Sequence, residues 1–140
     1  MQLIITNATK NMIAVTLLLI PTVSFGGHFL ASYVANKIPE LKMNPMQYTF
    51  KSAGHGHAGS FLILALVCLC LVDIARLPES MRWIIRVGPT LSAILISIGF
   101  FLSTPGENPS GPNNLFLLVY ASTGILLVSM ILLAVGLFRL

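Results

Sequence analysis

Three histidines carry most of the chemistry that this sequence can do. His28 follows the pair Gly26-Gly27 late in the first long apolar run, and His55 and His57 flank Gly56 at the head of the second. Imidazole is the side chain best suited to ligate a transition metal or haem iron and to pass a proton near neutral pH. In residues 52–60 everything besides the two histidines is Gly, Ala or Ser, so nothing bulky competes for the space beside the rings. On a regular helix His55 and His57 diverge by about 160°, so one of them faces His28 unless the glycines break the helix. His57 heads the apolar helix proper and is the one expected to turn inward; if the helix starts only there, His55 lies in the preceding loop.

The elements that position these side chains follow from composition. The chain has 140 residues, of which 56% are hydrophobic and 9% charged, with a mean hydropathy of +0.90. An ordinary soluble domain carries roughly a quarter charged residues, so this composition excludes one. At about 20 residues per span there is room for four membrane helices and none for a separate soluble catalytic domain. Apolar runs lie at about 12–34, 57–72, 83–102 and 115–138, separated by segments rich in Pro, Gly, Asn and charge. The expected fold is therefore all-α, an integral membrane four-helix bundle forming one domain over 1–140. Lys10 and the small residues around Gly26 also match a secretory signal, but the apolar stretch continues through Phe29, Leu30 and Val34, which favours a retained span.

Lys and Arg number 8 against 4 Asp and Glu, scattered singly, so they give no basic surface for nucleic acid. Their distribution speaks instead to topology. Lys10, Arg76, Arg82, Arg86 and Arg139 share the side of the termini, against Lys37, Lys42 and Lys51 opposite, which places both termini in the cytoplasm of an inner membrane. Cys68 and Cys70, two residues apart on a helix, point apart and form neither a disulfide nor a metal clip. Gly88, Ser92, Gly99 and Ser103 fall on one stripe of the third span, a face for close helix contact. Pro21 and Gly26-Gly27 are expected to bend or locally open the first span, and Pro89 the third.

Ten of the twelve aromatic residues lie in the half of the chain's spans that holds the histidines, mostly as Phe, which suits a flat apolar ligand better than an interfacial belt. Three functions fit. In the leading one His28 and His57, with or without His55, ligate haem b, copper or zinc in an outward-facing pocket, and Phe25, Phe29 and Phe61 wrap the group or exclude water. In the second, a histidine, with His57 as candidate, acts as general acid or base on a small aromatic substrate without a cofactor. In the third the chain is a non-catalytic accessory subunit of a homo-oligomer or larger membrane complex. The Pro- and Gly-rich third loop, residues 103–114, is a candidate lid over the histidine end. No phosphate loop, nucleophile elbow or intramembrane acid relay is present in the sequence.

The motif His55-Gly56-His57-Ala58-Gly59 at the head of a span resembles that of small four-span bacterial membrane proteins with an H-x-H-A-G pattern. It is also similar, more loosely, to the hydroxylaminobenzene mutase group, which implies an intramolecular hydroxyl shift on an aromatic hydroxylamine with His57 as the position carried over. The chain departs from that group in its extra His55 and in lacking a basic residue inside the first span. Histidine pairs ahead of a span are similar in residue type to those that ligate haem or copper in haem-copper oxidases.

Overall fold

A computed structural model describes residues 5–139. They form four long α-helices, α1 (Asn7–Val34), α2 (Pro45–Leu71), α3 (Glu79–Leu102) and α4 (Leu117–Phe138), the last preceded by a 3-10 turn at Asn114–Phe116. No strand occurs among the described residues. All four helices are long and apolar enough to cross a membrane, which makes the chain a multi-pass membrane protein with its helices in contact with lipid. Connections too short to recross a membrane join successive helices and force an up-down order. Thr6, the α2–α3 turn and Arg139 consequently meet at one end, called here the terminal end, and the histidines belong to the other half.

The second helix is much longer than the apolar run 57–72 implied. Its start is dictated by Asn44-Pro45-Met46-Gln47. Asn44 Oδ1 accepts from the Gln47 N–H at 2.8 Å, Gln47 Oε1 accepts from the Asn44 N–H at 3.0 Å, and Pro45 supplies the fixed φ that suits a first helical residue. The loop expected over 35–56 therefore ends at Asn44, and both later histidines lie about three turns inside α2. The predicted local opening of α1 is likewise absent: the helix runs unbroken through Pro21 and Gly26-Gly27. Pro89 similarly leaves α3 continuous.

Helices α2, α3 and α4 form the body of the bundle. Gly88, Ser92 and Gly99 make the predicted contact face of α3, and α4 lies on it. The Ser122 hydroxyl donates to the Ser92 carbonyl at 2.8 Å, and a Cβ at Gly99 would come within 2.8 Å of a Val119 methyl. Small residues let the backbones approach this closely where lipid supplies no hydrophobic drive. At the terminal end Cys68, Val72, Ala75, Leu77, Ile85 and Leu133 close a buried apolar core. Cys68 is buried and Cys70 exposed, as their spacing requires.

Helix α1 is attached differently. It packs along α2, touches α3 little and does not meet α4. Its terminal end is held by polar groups. Arg86 on α3 is 0% exposed, and its guanidinium donates to Asp73 Oδ1 at 2.9 Å, to Thr9 Oγ1 at 2.9 Å and to the Glu79 carboxylate, while lying 5.4 Å from the Trp83 ring centre. Asp73 in turn accepts from the Thr6 N–H at 2.8 Å and from the Thr9 hydroxyl at 3.0 Å. Two turns further on, the Thr16 and Thr90 hydroxyls bond at 2.9 Å across the α1–α3 contact. At the far end the Tyr33 hydroxyl donates to the Met43 carbonyl at 3.1 Å and its ring lies 5.9 Å from that of Tyr48.

Desolvation alone would raise the Asp73 carboxyl, but the Thr6 N–H and the Arg86, Thr9 and Thr6 side chains outweigh it and hold the group below the ordinary carboxylate value. A carboxyl whose folded pKa is depressed stabilises fully above its unfolded value, about 4, and that stability is lost as pH falls through the folded value. Thermal unfolding in detergent is therefore expected to show a loss of stability on acidification below about pH 4. Asp73→Asn should remove that slope. Removing one partner of a buried pair costs about 3–5 kcal/mol, so Arg86→Met alone is expected to be far more damaging than Arg86→Met combined with Asp73→Leu.

Candidate functional site

Because α2 is a regular helix, His55 and His57 leave it on opposite sides, and the packing decides which one meets α1. It is His55. A Cβ built at Gly27 would lie 2.9 Å from both Cε1 and Nε2 of His55, so the imidazole sits directly on the Gly27 backbone, with Gly26 beside it. The two glycines thus act as a notch for a ring and not as a hinge. The earlier expectation that His57 turns toward His28 is corrected on this point. His57 is exposed on the other flank of α2, its ring offset-stacked on Phe100 of α3 at 5.8 Å and 14°, with Phe61 at 5.9 Å. His28 lies on an exposed position of α1, one residue past the notch. The packing does not bring the three imidazoles into one ligand set, and among the described residues no group of three or more His, Cys, Asp or Glu side chains is placed to hold a metal ion.

Two grooves flank His55 in the seam between α1 and α2. One, about 370 Å³, is lined by Ile20, Val23, Ser24, Gly59, Leu62 and Ile63 with His55 and Gly27 at its head. The other, about 440 Å³, runs from His55 toward the α1–α2 loop past Leu30, Ala31, Val34, Tyr48 and Ser52. Ile63, Val34 and Tyr48 on their rims are exposed, so both grooves open sideways to the lipid. A third pocket of about 230 Å³, sharing Val23 and Leu62 with the first groove, continues toward the terminal end beneath α3. The seam lies between the polar ties of α1, at Thr6, Thr9 and Thr16 and again at Tyr33, where the glycine notch lets the His55 ring rest on the α1 backbone. His55 lies about 4–5 Å along the axis from the middle of α2. It is a polar ring facing largely apolar groove walls.

The aromatic residues do gather, but around His57 and away from α1. Phe50, Phe100, Phe116 and Tyr120 pack in edge-to-face or tilted pairs at 5.5–5.8 Å, bridging α2, α3 and the start of α4. A Cβ at Gly54 would come within 2.7 Å of the Phe100 Cβ, which is why α2 carries a glycine where this layer passes under it. Of the predicted ring-lining residues, Phe61 neighbours His57, Phe25 is 73% exposed, and neither Phe25, Phe29 nor Phe61 lines the grooves at His55. The third loop is fastened to the first turns of α2. Gln47 Nε2 donates to the Thr104 and Gly106 carbonyls at 3.1 and 2.8 Å, and Lys51 Nζ donates to the Phe101 carbonyl at 3.2 Å.

Sequence reasoning missed the Asp73–Arg86–Glu79 cluster. A signal was available: Glu79 and Arg86 are seven residues apart and so share a helix face, next to an apolar run that a free arginine would not tolerate. No protein-family model, curated protein or solved structure matches this chain.

The notch makes Gly27 sensitive and its neighbour in α2 tolerant. Gly27→Ala must push the His55 ring aside, at a cost of about 1–3 kcal/mol typical of overpacking. Gly56→Ala meets nothing within 4 Å and is expected to be neutral or stabilising. Unfolding midpoints of the two variants in the same detergent test this.

Proposed function

We propose that the seam between α1 and α2 binds a lipid-borne, single-chain amphiphile whose polar head hydrogen-bonds to His55. The observation that carries this reading is the seating of His55 between two lateral grooves, one with Tyr48 and Ser52 near the helix ends and one lined mainly by Ile20, Val23, Leu62 and Ile63 deeper in. Such a ligand would lie along α1 with its head in the outer groove and its chain in the inner one, oriented as lipids are. An imidazole with no hydrogen-bond partner among the described residues, facing apolar walls, is costly, and a head group that donates or accepts removes that cost. Both histidine nitrogens are usable, since the neutral ring offers one donor and one acceptor.

The topology we infer has both termini in the cytoplasm. Lys10, Arg76, Arg82 and Arg139 at the terminal end, with the buried Arg86, outnumber Lys37, Lys42 and Lys51 at the other. The seam then opens in the outer half of the membrane.

A diazirine-bearing palmitic acid in vesicles tests the reading. Irradiation is expected to place adducts on the residues lining the two grooves. Loss of one hydrogen bond worth about 1 kcal/mol should lower that labelling about fivefold in His55→Phe, which keeps the ring's bulk. Labelling spread evenly over the lipid-facing side of α4, and unchanged in His55→Phe, would refute it. So would an absorption spectrum with a Soret band, or stoichiometric metal, present in the purified chain and lost in His28→Ala/His57→Ala. Those results would return the site to haem or metal ligation.

A further inference from the structure

The terminal end carries more positive charge than the chain neutralises. Lys10, Arg76, Arg82, Arg86 and Arg139 belong to it, against two carboxylates, Asp73 and Glu79, and Arg86 takes both of those. Among the described residues no carboxylate lies within ion-pair distance of Arg76, Arg82 or Arg139. These three arginines are gathered by a clamp between the α2–α3 turn and the end of α4. The Arg76 N–H donates to the Gly136 carbonyl at 3.0 Å, and the turn sits so close that a Cβ at Gly136 would come within 2.6 Å of Leu77 and 2.9 Å of Ala75. Arg82 Nη2 donates to the Ala75 carbonyl at 3.0 Å, which puts it within about 6 Å of the Arg76 Cα. Arg76 Nη1 donates to the Arg139 carbonyl at 3.0 Å. Both guanidinium heads are thus held in place by backbone carbonyls, which fix their positions without cancelling their charge. Most of their donors remain: Arg82 Nε is buried without an acceptor, and Arg82 Nη1 makes no hydrogen bond among the described residues.

We infer that this corner binds the phosphate of an anionic phospholipid, held by the Arg76 and Arg82 guanidinium groups with Arg139 beside them. A planar guanidinium offers paired N–H donors that match phosphate oxygens, and it stays charged at every physiological pH. A free phosphate presents the same oxygens, but the corner also has apolar borders at the membrane surface. Trp83 follows Arg82 in the first turns of α3 and is 45% exposed, and the exposed Phe138 precedes Arg139 at the end of α4. Such rings suit the level where head groups meet acyl chains, and they give the chains of a lipid a surface that a soluble anion does not use. On the topology inferred above the corner lies in the cytoplasmic leaflet, which is rich in anionic lipid. It is separate from the seam at His55, and neither reading depends on the other.

Trp83 is the one tryptophan of the chain, so its fluorescence reports the lipids at this corner. In vesicles of mixed phosphatidylglycerol and phosphatidylcholine, phosphatidylglycerol with dibrominated chains is expected to quench Trp83 more strongly than the same fraction of dibrominated phosphatidylcholine. Arg76→Gln and Arg82→Gln should each lower that preference about fivefold. Lys42→Gln, the same loss of charge at the opposite end, should leave it unchanged, and so should millimolar inorganic phosphate. Arg76 is exposed, so its substitution carries the test even if Arg82→Gln unfolds the chain. Equal quenching by the two brominated lipids, an undiminished preference in Arg76→Gln, a matching loss in Lys42→Gln, or a preference abolished by inorganic phosphate would overturn the inference.

Discussion

The ion pair between Arg86 and Asp73 determines how α1 is held, and with it the shape of everything α1 borders. A guanidinium fully removed from solvent is tolerated only because its donors find Asp73, Glu79 and Thr9. The same carboxylate then takes the Thr6 N–H and the Thr9 hydroxyl, so the charge that α3 buries becomes the anchor of α1. In lipid, helices gain nothing from burying apolar side chains against each other, and polar contacts and close packing must do the holding. Helices α3 and α4 associate by the second means, through Gly88, Ser92 and Gly99. Helix α1 relies largely on the first, and the seam around His55 lies between its polar ties.

That division explains why two histidines separated by a single residue have different surroundings. His55 meets a glycine notch on α1 and is left with grooves on either side. His57 meets the tightly packed body of the bundle, where Gly54 lets the Phe100 layer pass close to α2. Neither imidazole has a hydrogen-bond partner among the described residues, and the space beside each differs, open groove at His55 and packed rings at His57.

Much of the architecture was legible in the sequence because it rests on composition and local spacing. The four spans follow from apolar runs, and the α3–α4 contact from small residues repeated at helical intervals. The start of α2 was misplaced because Gln47, Thr49 and Lys51 lower the hydropathy of its first turns, their polar groups being spent on the third loop, on the Pro45 carbonyl and on the Phe101 carbonyl at the end of α3; the capping box at Asn44 and Gln47 was the better guide. Which histidine faces α1 depends on the rotation of α2 about its axis, and that is fixed by contacts between distant segments, Gly27 with His55 and Gly54 with Phe100. Periodicity states that the two rings diverge but not which way either points. The Asp73–Arg86 pair spans a turn, so neither helix pattern contains it.

The central claim is that His55 faces lipid through the seam between α1 and α2. Nitrogen NMR on histidine-labelled protein in bilayers, with signals assigned by substituting each histidine in turn, reads this directly when a nitroxide carried deep on a stearic acid chain is added. The account predicts strong broadening of the His55 ring signals by that probe and none by a water-soluble gadolinium chelate. Broadening of His55 by the aqueous chelate, or a His55 signal indifferent to the lipid-borne nitroxide, would contradict it.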